Sequence, residues 1–254
     1  MITYNPDLKI FYSSKINDRD FFSGFGTKEL GDARKPDNIL QFFQKISFNI
    51  ERLVVMEQIH STNIDVYEVE RANKIEKIDD CDGVISKKNN CLLTARTADC
   101  LPIIFVDKKQ GIIAISHQGW RGSLKNFVKK MVEEMVKQGA DKNELIVAIG
   151  PGIGPCCYDI DDDRYYQFLE EFDGYSTQIF QMRGGKRYVD LSRLNFLLLA
   201  DAGIKKENID YFPFCTFCDQ KRFFSFRRDR QHNFGEMFHF IIKTDKPRLF
   251  TDLH

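Results

Sequence analysis

Net charge is the first thing this chain lacks: 37 Lys and Arg stand against 37 Asp and Glu in 254 residues. Without a basic excess there is no global pull toward nucleic acid or an anionic membrane surface. The first fifteen residues, MITYNPDLKIFYSSK, hold no basic segment followed by an apolar run, so they do not read as a secretory signal. No stretch approaches the roughly 20 consecutive apolar residues that span a bilayer. These absences lead to the expectation of a soluble, cytoplasmic protein without nucleic-acid or membrane partners. Cysteine is odd in number, seven in all. With no secretory signal a disulfide framework is not expected, and most of the thiols should be reduced and buried. Histidine is scarce, with five residues and no His-x-His pair, which argues against multicopper oxidase chemistry. No linker rich in Pro, Gly or Ser, no low-complexity tract and no internal repeat divides the chain. One domain over residues 1–254 is expected.

What is present is a 43% hydrophobic composition with 23 Phe, enough for a sizeable core. Strand-like runs alternate with helical periodicity, so the fold class expected is α+β, with mixed β-sheets packed with helices in layers. Helices are predicted over 37–46 after Pro36, from Ser123 as N-cap to Gly139 as stop, over 161–172, and from a Ser192 cap to 202. Strands are predicted over 53–59, 64–69, 84–85, 145–149, 188–191, 209–214, 223–226 and 237–242. Gly24, Gly26 and Gly31 suggest a loose turn. The segment 150–157, GPGIGPCC, lacks the Gly-Lys-Ser/Thr of a phosphate loop, and Pro151 and Pro155 remove amide donors, so it reads as a rigid loop.

The stretch 94–122 is the focus. Two apolar runs, 101–106 and 111–116, flank the charged turn 107–110 and predict a β-hairpin. A hairpin brings its ends together, here Cys100 and His117. The two are good zinc ligands, and equally a nucleophile and its base. His60 is expected at another strand end. Three such residues leave the fourth tetrahedral position open, the pattern of a catalytic zinc. Yet 39 and 16 intervening residues fit no local metal motif, and spacing alone assigns the three no joint role. Cys215-x-x-Cys218 shows no second ligand pair of similar spacing, which favours an incidental pair. Arg121, Arg227 and Arg228 are candidates for binding a phosphate or another anion, because the guanidinium fork matches phosphate oxygens.

Several segments then combine. They are Gln58-Ile59-His60, Cys81-Asp82-Gly83, Thr97-Ala98-Asp99-Cys100-Leu101-Pro102 and His117-Gln118-Gly119-Trp120-Arg121-Gly122. Further segments are Ile149 to Gly154, Asp190-Leu191, Cys215-Thr216 and Phe223 to Asp229. Together they resemble the YfiH-like family, also called the laccase-domain or polyphenol-oxidase-like family, over nearly the whole chain. The resemblance implies a zinc ion held by His60, Cys100 and His117. It implies purine nucleoside chemistry: phosphorolysis of adenosine, inosine, guanosine or S-methyl-5'-thioadenosine, and hydrolytic deamination of adenosine to inosine. Asp82 and Asp99 are expected to orient ligands or cap turns rather than to move protons. The chain departs from the family at 231–236, QHNFGE, where Thr-Gly-Arg is frequent, and in a shortened N-terminal glycine segment. A Cys100–His117 amidase or deamidase and a non-enzymatic zinc- or nucleoside-binding protein are the alternatives.

Overall fold

The structure is a computed structural model that describes residues 1–48, 50–68, 73–230 and 234–245. Two large mixed sheets lie face to face. The first has seven strands, in the spatial order Ile2–Asn5, Ile10–Ser13, Phe21–Gly26, Met237–Lys243, Cys91–Thr97, Arg52–Met56 and Ile75–Ile78. The second has six, in the order Ile209–Tyr211, Ile146–Ile149, Leu101–Asp107, Ile112–Gln118, Gly83–Ser86 and Ile64–Val66. A small sheet of Asp159–Ile160, Lys186–Val189 and Phe180–Arg183 flanks them.

Side chains alternate across each strand, so one strand feeds two cores. Ile104, Val106, Ile113 and Ile115 point between the sheets, where they meet Val54, Leu93, Ala95 and Ile241. Leu101, Ile103, Phe105 and Ala114 point outward, onto the helices Phe127–Lys137 and Leu191–Asp201. The first sheet does the same on its far side. There Phe22, Leu92, Phe238 and Phe240 pack on Ile39, Phe42 and Phe43 of the helix Pro36–Lys45. The result is four layers, helix–sheet–sheet–helix, in a single compact domain. The expected class, mixed sheets packed with helices in layers, is what these layers form. The continuous apolar runs have the same cause, since strands covered on both faces have no solvent side to alternate with.

The central hairpin forms in the expected place, with Leu101 opposite Gln118 and Pro102 opposite His117. Other expectations need correction. Residues 223–226 are not a strand: Ser225 caps the short helix Phe226–Asp229, its hydroxyl accepting from the Arg228 amide. Gly24 and Gly26 lie inside the strand Phe21–Gly26, not in a turn. A Cβ at Gly24 would sit 2.8 Å from the Phe240 ring, so glycine is needed there for sheet-to-sidechain contact. Ser123 does not cap a helix. The helix begins at Trp120, the Ser123 hydroxyl donates to the Gly119 carbonyl, and Asn126, with φ +49°, starts a second helix. Asp190, not Ser192, caps the helix Leu191–Asp201 by accepting from the Arg193 amide. The predicted strand 64–69 is observed as Ile64–Val66, and Val69 lies outside the described residues. Residues 231–233 and His254 lie outside them as well. No helix among the described residues is long and apolar enough to cross a membrane.

Gly150 marks one of the tightest contacts between elements: a Cβ there would lie 2.4 Å from Phe25 and 2.7 Å from Pro102. Overpacking of this kind costs about 1–3 kcal/mol. Gly150→Ala is therefore expected to lower the stability measured by urea denaturation by that amount, whereas Gly174→Ala, which meets nothing within 4 Å, leaves it unchanged. Equal stabilities would refute the packing account.

Candidate functional site

Three chain segments end at one seam between the two large sheets. The strands Arg52–Met56 and Cys91–Thr97 run parallel, so their C-terminal ends share an edge. The first continues to His60. The second crosses through Ala98 and Asp99 to Cys100 and into the other sheet. The strand Ile112–Gln118 returns to the same edge and delivers His117. Beyond the regular pairing, Gln58 and Arg96 exchange hydrogen bonds: the Gln58 amide nitrogen donates to the Arg96 carbonyl at 2.7 Å, and the Arg96 amide donates to Gln58 Oε1 at 2.8 Å. This side-chain clasp prolongs the sheet by one step and steers the chain toward His60.

Asp82 organises the turn that carries His60. It is fully buried, and its carboxylate accepts from three successive amides, those of Ile59, His60 and Ser61, at 3.3, 3.2 and 2.6 Å. It also accepts from the Ser61 hydroxyl at 2.6 Å and binds His117 Nδ1 at 2.8 Å. Successive amides around an anion form a nest. The nest holds His60 at φ +60°, a conformation that disfavours most L-residues. Burial would raise the Asp82 carboxyl, but the bonds from His117 and Ser61 outweigh it and hold it below its usual range.

With Nδ1 of His117 donating to Asp82, its Nε2 carries the lone pair that faces the seam. The His60 and His117 rings meet edge to face, centroids 4.7 Å apart. His60 Nε2 lies 3.8 Å from Cys100 Sγ. The three donor atoms all lie within 4.8 Å of one another. A tetrahedral ion with M–N near 2.0 Å and M–S near 2.3 Å needs N···S spacings of roughly 3.5 Å. Gly119 closes the cradle, for a Cβ there would lie 3.0 Å from Cys100 Sγ and 3.1 Å from the His60 ring. The donor set and its spacing thus fit a mononuclear metal with one further position open. Burial pushes the Cys100 thiol up, but His117 and His60 outweigh it and bring it down to about 7. Burial lowers His117, while Cys100 and Asp82 raise it further, to about 10. Each partner thus favours the charged form of the other, and a metal on the thiolate would take the place of the His117 Nε2 proton.

Asp99 supports Cys100 from behind. It sits at φ +85° and is buried. Its carboxylate accepts from the Thr216 hydroxyl at 2.6 Å, the Ser225 hydroxyl at 2.9 Å and the Arg227 amide at 2.7 Å. Both aspartates are thus committed to holding backbone, as expected of them. His239 is also buried. Burial takes it down to about 3, so it is neutral where it meets the Thr97 hydroxyl at 2.9 Å.

A cleft of about 230 Å³ opens over the three donors. Its walls include Gln58, Arg96, Thr97, Phe226, Phe234 and Glu236. The Phe226 and Phe234 rings meet edge to face at 5.1 Å, with Phe226 half exposed. Arg96 faces Glu236 at 3.7 Å. Sequence reasoning passed over Arg96, although an arginine inside an apolar strand, one residue before Thr97-Ala98-Asp99-Cys100, was a signal. Phe226 and Phe234 were hidden by the mistaken strand at 223–226. The three arginines expected to bind anions do not line this cleft. Arg121 stacks on Trp120 with its guanidinium carbon 4.5 Å from the ring centre. Arg227 bonds Asp159 Oδ1 at 2.5 Å. Arg228 donates to the carbonyls of Thr216, Phe217 and Phe223 and to the Asp229 carboxylate, which engages every nitrogen of its fork.

The family model described as multi-copper polyphenol oxidoreductase laccase matches residues 28–244. The chain belongs to this laccase-like YfiH family. It is 32% identical over 226 residues to purine nucleoside phosphorylase YlmD of Geobacillus stearothermophilus, covering 85% of this chain and 82% of that one. It is 30% identical over 223 residues to adenosine deaminase RL5 of an unknown prokaryotic organism, covering 84% and 85%. The crystal structure of YlmD from Geobacillus stearothermophilus superposes with a TM-score of 0.81 at 27% identity, over 93% of this chain and 97% of that one. That of YfiH from Bacillus licheniformis gives 0.80 at 26%, over 88% and 93%. The multi-copper description belongs to the family model; at this seam the chain offers two imidazoles and one thiol, enough for one ion.

Asp82→Asn keeps the shape but removes the charge on which His117 and three amides converge. Breaking a buried charged pair costs about 3–5 kcal/mol. That loss is expected in urea denaturation with chelator present, and a loss below ~0.5 kcal/mol would contradict the account. Because the folded Cys100 thiol lies below the free value of about 8.5, its thiolate adds stability above that pH. The contribution is lost as pH falls through about 7. In metal-stripped protein the alkylation rate of Cys100, followed by peptide mass, is expected to rise with a midpoint near 7, and to shift upward in His117→Ala. A midpoint at the free-thiol value in both would sink the ion pair.

Proposed function

We propose that the chain is a zinc-dependent purine nucleoside enzyme, acting by phosphorolysis on adenosine, inosine, guanosine or S-methyl-5'-thioadenosine and by hydrolysis on adenosine, which it deaminates to inosine. One observation carries the reading: His60, Cys100 and His117 present three ligand atoms to one point at the floor of a cleft whose mouth is aromatic. The names of the relatives, a purine nucleoside phosphorylase and an adenosine deaminase, support the substrate class. Zinc suits a borderline set of two imidazoles and one thiolate, and when bound it supplies Lewis acidity and a water acidic enough to ionise near neutral pH.

The protein's own residues set the geometry. Asp82 fixes the tautomer of His117 and so keeps Nε2 aimed at the seam. Phe226 and Phe234 give the purine ring an apolar face against which to stack. In deamination, water adds at C6 and ammonia leaves. In phosphorolysis, a phosphate oxygen bonds to ribose C1′ as the glycosidic C–N bond breaks and the purine leaves with a proton. Arg96 is the cation on the cleft wall and takes the phosphate-binding role first expected of Arg121, Arg227 and Arg228. Glu236 beside it holds the guanidinium in place when phosphate is absent. The Cys100 thiolate next to His117 supports a second reading, a Cys–His amidase with Cys100 as nucleophile.

Zinc-loaded protein incubated with adenosine is expected to yield inosine without phosphate, and adenine with ribose-1-phosphate when phosphate is added. If none of these products forms, the nucleoside reading fails. Metal-free protein that cleaves amides and loses this on Cys100 alkylation would establish the amidase instead. A charge-assisted hydrogen bond is worth about 1.5–3 kcal/mol, so Arg96→Gln is expected to raise the phosphate KM by ~10-fold or more and to spare deamination. Arg228→Gln is expected to lower Tm instead. The reverse pattern would return the phosphate role to Arg228.

A further inference from the structure

Four of the seven cysteines gather far along the chain from Cys100. Cys156 and Cys157 close the loop after the strand Ile146–Ile149, and Cys215 and Cys218 come after the strand Ile209–Tyr211. The parallel pairing of those strands carries both segments off the same end of the sheet. Gly152 continues the pairing in a bridge to Cys215, and the Thr216 amide donates to the Gly152 carbonyl at 3.0 Å. The apparent lone Cys-x-x-Cys of the sequence thereby finds its second pair, supplied by two adjacent cysteines.

The four sulfur atoms all lie within 4.8 Å of one another. Cys157 and Cys218 are 3.3 Å apart, Cys156 and Cys218 3.6 Å, and all four are free thiols. A tetrahedral ion with M–S near 2.3 Å places its sulfur ligands roughly 3.8 Å apart. The Gly154 amide donates to Cys215 Sγ at 3.1 Å, a bond that favours a thiolate over a thiol. A Cβ at Gly154 would lie 3.2 Å from the Cys215 Cβ and 3.4 Å from Cys156 Sγ, so the loop approaches the sulfurs as closely as glycine permits. Four thiolates at this spacing repel one another unless a cation lies between them. Sulfur ligands in a tetrahedron select a soft or borderline ion of the zinc class, and four of them leave no position for water.

We infer that Cys156, Cys157, Cys215 and Cys218 form a second metal site, a closed four-thiolate cage for one zinc-class divalent cation. On uptake four M–S bonds form and the thiol protons leave to solvent. The cage clasps two segments that also hold the turn before Cys100. Ile153, in the first, donates its amide to the Asp99 carbonyl at 2.9 Å, and Thr216, in the second, donates its hydroxyl to the Asp99 carboxylate. A structural ion there positions the seam without touching substrate.

The test is metal stoichiometry. Protein purified with reductant and without chelator, then equilibrated with Zn²⁺, is expected to hold two ions per chain by native mass and elemental analysis. Cys157→Ser/Cys218→Ser is expected to hold one, and Cys100→Ser also one. Zinc lost only in Cys100→Ser overturns the cage. Zinc lost only in the Cys157/Cys218 variant supports it and removes the ion from the proposed active site, so the two readings fail separately. Should the double variant not fold, the wild-type protein decides. Cys156 and Cys218, though exposed, are expected to resist iodoacetamide until a chelator releases zinc. Immediate alkylation of the zinc-equilibrated protein, or a mass lower by two hydrogens per bridge with no metal held there, overturns the proposal.

Discussion

The buried carboxylate of Asp82 is the contact on which the seam depends. A bare anion in a protein interior is costly, so it must collect donors. Here the donors are three amides of the segment that carries His60, one hydroxyl, and the imidazole of His117. Satisfying the charge and building the site are therefore the same event. The left-handed turn at His60 persists because leaving Asp82 unpaired would cost more than the turn does. Asp99 repeats the device on the other side of Cys100, again with a left-handed backbone and a carboxylate filled by backbone and hydroxyl donors.

The layers explain why the seam can be so closely specified. Each of the two large sheets is covered on both faces, and the strands that lead to the site are buried along almost their whole length. Close packing of this kind transmits little slack. The donors sit at strand ends or one short turn beyond, where a rigid scaffold fixes the side chains in place, with His117 buried and His60 exposed.

Local chemistry was legible in the sequence, and distance was not. The hairpin around Asp107 to Gln110, the helix after Pro36, and the stop at Gly139 with φ +98° all arise from patterns a few residues long. The meeting of His60, Cys100 and His117 depends on strand order across two sheets. Spacing along the chain carries no trace of that order, and only resemblance to the family brought the three together. The cysteine quartet was missed for the same reason: its halves are joined by a parallel strand pair, a contact between residues some sixty positions apart. The errors at Ser123, Ser192 and residues 223–226 were of another kind. The Ser123 hydroxyl bonds back to the Gly119 carbonyl instead of capping, Asp190 takes the cap ahead of Ser192, and Ser225 caps a short helix where a strand was expected. Arg228 was a candidate for the shape of its guanidinium fork, yet three carbonyls of a folded-back segment claim it.

The place of the site on a seam has a consequence for how the molecule comes into being. Cys100 lies on the step where the chain passes from one sheet to the other, and His60 and His117 arrive from opposite sheets. A chain with only one sheet assembled has no pair of imidazoles facing the thiol. Contacts of such long sequence separation form late, after the loops between them have closed. The seam thus withholds a reactive thiolate and two free imidazoles from forming a binding point until both halves of the core are in register. A metal bound at that point would require both halves of the core, since a half-built chain brings the three donor atoms nowhere near one another.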